Sequence, residues 1–237
     1  MESSIEERPS NLRKKLKIAI DGPAGAGKST VSRLLARKLN LLYIDTGAMY
    51  RAATWLARKN GLEITDGAGI SALIQKADLR LEACGEGVDQ RIRVFLDGNE
   101  ITDEIRSPEI SDMVSTVSAH KEVRDTLVEE QRKLARDGDC VLDGRDIGTV
   151  VLPDARPKFF LTASKEERAR RRVIELEKMG KPQTFDSVLK AMVERDEKDS
   201  TRETAPLVKA QDAIEVVTDN MTIEQVVAKL CSYVENL

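Results

Sequence analysis

Short apolar runs alternate along this chain with longer segments in which apolar residues recur every three or four positions. Runs bounded by polar or turn residues predict five buried strands, at Leu16–Ile20, Leu41–Ile44, Cys140–Leu142, Lys158–Leu161 and Ala213–Val217. Helical periodicity predicts a helix over Lys28–Leu39 and a second from about Ala48 to Lys59. Strands that alternate with helices in this way predict a parallel sheet covered by helices on both faces.

One stretch, Leu79–Ile101, breaks this alternation. Its segments LRLEA and RIRVFL, with a turn signal at Asp97–Gly98, predict a small antiparallel meander. We interpret it as an insertion between the second strand and the helices near residues 108–136.

Three helix starts are marked by capping signals. Ser164 with Glu167, and Thr222 with Gln225, fit the capping box, and Ser107–Pro108 places a cap before a proline at the first helical position.

Composition restricts the class of partner. The 237 residues amount to about 1.6 typical domains, which favours one large domain or a domain with an insertion. The net charge of −3 excludes a protein that binds DNA or an acidic membrane through its bulk charge. The separated Cys84, Cys140 and Cys231, with His120 as the single histidine, argue against a disulfide framework and a zinc site.

The start of the chain is polar and charged. The segment MESSIEERPSNLRKK lacks the apolar core of a secretory signal, and we interpret residues 1–15 as a flexible arm before one domain over 16–237. No apolar run in the sequence approaches the length of a membrane span. We therefore expect a cytoplasmic protein.

The clearest motif is GPAGAGKS at Gly22–Ser29, which matches the phosphate-binding pattern G-x-x-x-x-G-K-[ST] between a predicted strand and helix. Small residues let successive N–H groups surround phosphate oxygens, Lys28 would bridge the β- and γ-phosphates, and the Ser29 hydroxyl would ligate Mg²⁺. The predicted ATP-binding residues are Gly22, Pro23, Ala24, Gly25, Ala26, Gly27, Lys28, Ser29 and Thr30. The alternative is a glycine-rich turn without a ligand.

Polar residues follow two other strand ends, where ligands of open α/β sheets bind. Thr46 and Arg51 follow the second strand. Asp143 ends a later strand, at the place where a P-loop fold puts its second magnesium-organising group, and Arg145 and Asp146 follow it. An exposed ion pair is the alternative for Arg145 and Asp146.

Two arginine-rich segments remain. A helix would carry Arg195, Asp199 and Arg202 on one face, although it could instead end near Ser200. The alternative for that trio is a solvated ion pair.

The other segment follows the Ser164 cap, and its self-repulsive arginines require either acidic partners or an anion. The arginines are Arg168, Arg170, Arg171 and Arg172, and the candidate acidic partners are Glu166, Glu167 and Glu175.

Together these segments resemble the bacterial cytidylate kinases (CMP kinases), nucleoside monophosphate kinases of the P-loop class. The resemblance rests on the order and spacing of GPAGAGKS, DTGAMYRA, DGRDIGTVVLPDA, SKEERARRR and ERDEKDSTRETAPL, and it covers the chain from about Leu16 onward. It implies a three-layer α/β P-loop kinase core with a parallel central sheet. It also implies an inserted antiparallel NMP-binding subdomain at about 62–106 and a helical lid at about 164–182.

The resemblance also implies a role for each matching residue. Acceptor phosphate is held by Thr46, Arg51, Arg145 and Arg202, the cytosine ring by Ser115, Arg124 and Asp146, and the ribose by Arg195 and Asp199. The residues implied at the transferring phosphoryl group are Lys28, Arg145, Arg168, Arg171 and Arg172, and the metal ligands are Ser29 and Asp143. Taken without the resemblance, Ser115 and Arg124 are ordinary helix residues.

The implied reaction is Mg²⁺-dependent transfer of phosphoryl from ATP to CMP, and also to dCMP, within pyrimidine nucleotide metabolism. The acceptor phosphate is largely ionised at neutral pH, so the site must neutralise charge rather than supply a general base. We expect a monomer that acts on these small molecules and binds neither a nucleic-acid polymer nor a membrane. A kinase for another small acceptor, such as UMP, and a nucleotide-binding module without turnover are the alternatives.

Overall fold

The computed structural model describes residues 15–84 and 91–236, so the first fourteen residues of the predicted arm lie outside the described residues. The strands are β1 (Lys17–Asp21), β2 (Leu42–Asp45), β3 (Leu79–Cys84), β4 (Arg91–Leu96), β5 (Asn99–Glu100), β6 (Cys140–Gly144), β7 (Lys158–Thr162) and β8 (Ile214–Val217). The helices are α1 (Lys28–Lys38), α2 (Thr46–Lys59), α3 (Gly67–Lys76), α4 (Pro108–Val117), α5 (Lys121–Leu134), α6 (Lys165–Lys178), α7 (Phe185–Thr201) and α8 (Ile223–Glu235). Single turns of 3₁₀-helix at Glu104–Arg106 and of π-helix at Ile147–Val151 join some of them.

The predicted parallel sheet is confirmed. Five strands run in the order β2-β6-β1-β7-β8, and every pairing in this sheet is parallel. β1 lies at the centre, where Ile18 pairs with Val141 of β6 and Ile20 with Phe159 of β7. The carboxyl ends of β1, β2 and β6 therefore meet at one edge of the sheet.

Side-chain alternation along β1 divides the core into two layers. Ile18 and Ile20 are fully buried in a cluster with residues of α1 and α8, whereas Ala19 packs on the opposite face with residues of α2 and α5. Each fully buried isoleucine contributes roughly 1.5–3 kcal/mol relative to an exposed one. This two-sided burial explains why the strands have continuous apolar runs.

The predicted meander is also confirmed, as an antiparallel sheet in the order β3-β4-β5. Ile92, Val94 and Leu96 of β4 form a third apolar cluster with Ala52 and Leu56 of α2. The insertion is thereby attached to the helix that follows β2.

Helix ends agree with the predicted caps in two of three cases. Ser107 caps α4, and Thr222 with Gln225 forms a complete capping box on α8. The capping box predicted at Ser164 is wrong in one half. The Ser164 hydroxyl accepts the Glu167 N–H, but the Ser164 N–H donates to Asp219 and not to the Glu167 side chain.

A second correction concerns the end of α7. The helix ends at Thr201, and Arg202 has an extended backbone with ψ of 141°. The prediction that one helical face carries Arg195, Asp199 and Arg202 is therefore wrong for Arg202, and the alternative of a helix ending near Ser200 is correct. In the part of the chain that the structure describes, no helix combines the length and the apolar character needed to cross a membrane.

Candidate active site

The phosphate loop connects β1 to α1 beneath the α6–α7 helical hairpin. Gly22 has a φ of +145°, and a Cβ there would lie 1.9 Å from the carbonyl oxygen of Leu161 in β7. No other residue fits this close approach without a shift of backbone. The Lys28 ammonium folds back over the loop and donates to the Pro23 carbonyl at 2.7 Å.

Lys28 lies in an electrostatic setting that opposes its own charge. The ammonium is buried, and burial together with the nearby Arg145 guanidinium lowers its pKa well below the usual value, whereas Asp143 acts in the opposite direction. Desolvation disfavours the charged form, and a neighbouring cation does the same. An anion beside Lys28 would reverse both effects.

Asp143 connects the phosphate loop to the second strand end. Its carboxylate accepts from the Ser29 hydroxyl at 2.8 Å and from the Tyr43 hydroxyl at 2.9 Å. Burial, reinforced by the charge of Asp45, raises the pKa of Asp143 to about 6. The Thr46 hydroxyl donates to the backbone carbonyl of Asp143 at 2.6 Å, so the start of α2 is joined to the end of β6.

A cluster of arginines lies beside this carboxylate. Arg145 donates through Nε to Asp199 at 2.9 Å, which joins the end of β6 to α7. Burial and the charges of Arg145 and Arg51 lower the pKa of Arg195 to about 10. Burial also lowers the pKa of Arg51, with Arg106 and Arg145 adding to the effect. The Arg195 Nε is buried and has no hydrogen-bond partner among the described residues.

Asp199 is the acidic member of this cluster. Burial raises its pKa, but the charges of Arg145 and Arg195 outweigh burial and hold the pKa below its ordinary value. Asp199 is therefore ionised at neutral pH and fixes Arg145 in place.

Asp146 is held between two arginines from different elements. Its carboxylate, 3% exposed, accepts from the guanidinium of Arg124 in α5 and lies 3.6 Å from Nη2 of Arg202. The Arg124 guanidinium also stacks over the Tyr50 ring, with 5.4 Å between guanidinium carbon and ring centre, and donates to the Ser118 carbonyl at 3.2 Å. The exposed Arg145–Asp146 ion pair considered from the sequence is not formed, because each residue pairs elsewhere.

The four arginines of the predicted lid each have an acidic partner in this structure. Arg168 is buried, bonds to Asp196 at 2.6 Å and donates to the Ala24 carbonyl of the phosphate loop at 3.1 Å. The acidic partners considered from the sequence are present in two cases, because Arg170 and Arg171 pair with Glu167, and Arg172 pairs with Glu175. Arg171 also donates to the Thr218 carbonyl at 2.9 Å.

Two predicted binding residues, Ser115 and Thr30, are not part of the described contacts around the Asp143 and Asp146 carboxylates. Ser115 is half-buried on α4, and its backbone carbonyl accepts from Ser118, whose own carbonyl is the one that Arg124 contacts. Thr30 is half-buried in the first turn of α1. The described contacts connect neither side chain to the Asp143 or Asp146 carboxylates.

Three side chains that organise the site were not predicted from the sequence. The Tyr43 hydroxyl orients Asp143, and Tyr50 supports Arg124. The buried Asp21 carboxylate accepts from the backbone N–H groups of Ile147 and Gly148 at 2.8 Å each. The only local signal for Asp21 was its position at the end of a strand, next to the phosphate loop.

The oxygen donors around Asp143 suit a hard divalent cation. Within residues 15–84 and 91–236, no group of three or more His, Cys, Asp or Glu side chains is arranged to hold a metal ion. Ser29 and Asp143 instead offer a hydroxyl and a carboxylate that are already in contact. Mg²⁺ commonly binds to one or two such protein oxygens and completes its shell with substrate phosphates and water. The donor set therefore fits Mg²⁺ bound together with a nucleotide.

A phosphate loop after the central strand, a carboxylate on the adjacent strand and arginines converging from several elements define a P-loop kinase for small acceptors. The chain belongs to the cytidylate kinase family, since the family model described as "Cytidylate kinase" matches residues 18–236. It is 52% identical over 215 residues to the cytidylate kinase of Carboxydothermus hydrogenoformans, covering 91% of this chain and 95% of the relative.

A second relative and one solved structure are also similar to this chain. The cytidylate kinase of Shouchella clausii is 50% identical over 224 residues, covering 94% of this chain and 98% of the relative. Among solved structures, an uncharacterized protein from Eubacterium ventriosum superposes with a TM-score of 0.50 at 14% identity, covering 94% of this chain and all of that one. That likeness concerns the fold alone.

Proposed function

We propose that this protein transfers the γ-phosphoryl group of ATP to CMP, and also to dCMP, to form ADP and the cytidine diphosphate. The observation that carries the proposal is the buried Arg124–Asp146 pair beside the strand end that holds Asp143. Cytosine presents an amine that donates, and a carboxylate such as Asp146 accepts from it. Uracil presents an acceptor at the same position, which Asp146 would repel.

On the donor side, the loop from Gly22 to Thr30 would surround the phosphates of ATP with backbone N–H groups, aided by the N-terminus of α1. Lys28 would exchange its contact with the Pro23 carbonyl for the β- and γ-phosphates. Ser29 and Asp143 would hold Mg²⁺, which supplies charge neutralisation at the phosphate oxygens when bound.

On the acceptor side, the predicted roles follow the three parts of the nucleotide. The acceptor phosphate would lie against Thr46, Arg51, Arg145 and Arg202, the ribose against Arg195 and Asp199, and the base against Ser115, Arg124 and Asp146. The close electrostatic coupling of Arg51, Arg145 and Arg195 supports this arrangement, because two phosphates would relieve the repulsion among them. The antiparallel insertion, at about 62–106, would form the wall of the acceptor site.

The chemistry requires positioning and charge neutralisation. The second pKa of a phosphate monoester is about 6, so the attacking oxygen is already ionised at neutral pH and no general base is needed. Lys28 and Arg145 would lie at the transferring phosphoryl group, where developing charge must be stabilised. Donor and acceptor would approach in line.

Helix α6 and the residues that follow it, over about 164–182, would act as a lid. Arg168, Arg171 and Arg172 have protein partners here, and closure would exchange some of these contacts for donor phosphates. Closure would also exclude water and so limit hydrolysis of ATP. The reaction belongs to pyrimidine nucleotide metabolism because its acceptor and product are cytidine nucleotides. The monomeric state and cytoplasmic location stay predictions from the sequence.

The proposal is tested by ADP release from ATP and Mg²⁺ with CMP, dCMP, UMP, AMP and shikimate as acceptors. We expect acceleration with the cytidine nucleotides and little with the others. Faster turnover with UMP or shikimate would establish a different kinase, and no acceleration by any acceptor would establish a binding module without turnover. A Lys28→Met variant controls for contaminating kinases.

A further inference from the structure

Helix α5 directs two arginines, eight positions apart, at the same short segment after β6. Arg124 contacts the Asp146 side chain. Arg132, about 12 Å farther along the helix, donates through Nε to the Val151 carbonyl at 3.0 Å and through Nη2 to the Val150 carbonyl at 2.7 Å. One guanidinium thus holds the last two carbonyls of the π-helical turn Ile147–Val151.

The other end of the same turn is held by the opposite charge. The Asp21 carboxylate accepts the N–H groups of Ile147 and Gly148, the first two residues of the turn. A carboxylate at the N-terminus and a guanidinium at the C-terminus each complement the dipole of a helical turn. The turn is therefore fixed between β1 and α5.

The turn is bonded directly to Asp146. The N–H groups of Val150 and Val151 donate to the Asp146 carbonyl at 2.8 and 3.2 Å. The Asp146 backbone, with φ of −144° and ψ of 26°, belongs to no regular element and has these bonds as its support. These contacts form a closed ring. Arg132 of α5 donates to Val150 and Val151, and these two residues donate to the Asp146 carbonyl. The Asp146 side chain in turn contacts Arg124, which is also on α5.

We propose that Arg132 is a positioning residue for base selection. It does not touch the nucleotide but sets the position of Asp146 relative to Arg124, so that acceptor and donor meet the edge of cytosine together. The inference rests on the proposed function. Arg132 lies on the protein surface, unlike Arg124, so its loss should affect selectivity far more than stability.

The test compares Arg132→Met, which removes every donor but keeps an apolar stem, with Arg132→Lys, which restores one donor. Lys133→Met is the matched control, because the ion-pair partners of the neighbouring Lys133 among the described residues are Glu129 and Glu130 of its own helix. Steady-state kinetics with CMP, UMP and ATP are measured for each protein, with thermal unfolding in parallel.

We expect Arg132→Met to lower the ratio of kcat/KM for CMP over UMP about tenfold. This factor corresponds to the free-energy contribution of about one hydrogen bond. Arg132→Lys should recover part of the ratio, and the KM for ATP and the control should stay unchanged. A wild-type ratio in folded Arg132→Met, or a KM for ATP that rises as much as that for CMP, would overturn the inference alone. Wild-type protein that does not phosphorylate CMP would overturn both the inference and the proposed function.

Discussion

Replacement of Asp146 by asparagine tests base selection most directly. The carboxylate is buried and is paired with Arg124 and Arg202. Asparagine has nearly the same shape, so no cavity forms, but the negative charge is removed. Its amide can present either a carbonyl to the amine of cytosine or an N–H to the carbonyl of uracil. The values of kcat/KM for CMP and UMP should therefore become nearly equal.

The size of the change follows from the contact that is lost. One base-edge hydrogen-bonding pattern is worth about 1–3 kcal/mol of discrimination, so the CMP over UMP ratio of kcat/KM should fall about 5- to 150-fold. The same substitution leaves two buried guanidinium groups without their anion, which lowers the free energy of unfolding by about 3–5 kcal/mol. The CMP over UMP ratio of kcat/KM and the free energy of unfolding should therefore both fall in the Asp146→Asn protein.

The assay is ADP release with CMP and UMP well below the unfolding midpoint, combined with urea unfolding. Asp125→Asn is the control, since Asp125 forms an exposed pair with Lys121 on the same helix that carries Arg124, and such a pair contributes little. A folded Asp146→Asn protein with the wild-type ratio would refute the role of Asp146 in base selection. A wild-type free energy of unfolding would refute the importance of the buried ion pairs.

Three further predictions concern the phosphate loop and its neighbours. Lys28→Met should reduce turnover about 1,000-fold without lowering the unfolding midpoint, because burial and Arg145 already disfavour the ammonium; turnover within tenfold of wild type would contradict this. Gly22→Ala should lose about 3 kcal/mol more in urea unfolding than Gly61→Ala, which has a positive φ but nothing within 4 Å of the new Cβ; equal losses would contradict the steric argument. Burial raises the pKa of Asp21 to about 6, so from pH 7 to pH 5 the folded state takes up a proton that the unfolded state does not. The free energy of unfolding of wild type should rise over that interval by about 1 kcal/mol relative to Asp21→Asn, and a flat or opposite difference in urea unfolding would contradict it.

Features set by neighbouring residues could be predicted from the sequence. The alternation of Ile18, Ala19 and Ile20 between two core layers is a consequence of strand geometry, which the apolar run already indicates. The caps at Ser107 and Thr222 depend on residues three positions away. The phosphate loop is similar, because its conformation is determined by eight consecutive residues between a strand and a helix.

Features set by distant residues could not be predicted. The Tyr43 hydroxyl meets a carboxylate 100 positions away, and Asp21 meets a backbone 126 positions away, so no local pattern indicates either contact. The capping box at Ser164 failed for the same reason, since Asp219 competes for its N–H. The site residues that the family resemblance implies stay predictions. They could be proposed because the order and spacing of several motifs carry tertiary information that a single local motif does not.

The electrostatics of the site explain how a chain with a net charge of −3 can suit two polyanions. Lys28 is buried, Arg51 and Arg195 are half-buried, and desolvation and neighbouring cations lower the pKa of each. Such repulsion works against folding, and the apolar cores of the sheet must compensate for it. Phosphate groups bound in the cluster would remove this repulsion. Its relief would therefore contribute to the free energy of phosphate binding. The bulk charge therefore governs association with extended polymers, whereas the local cluster of partly desolvated cations governs recognition of small phosphorylated molecules.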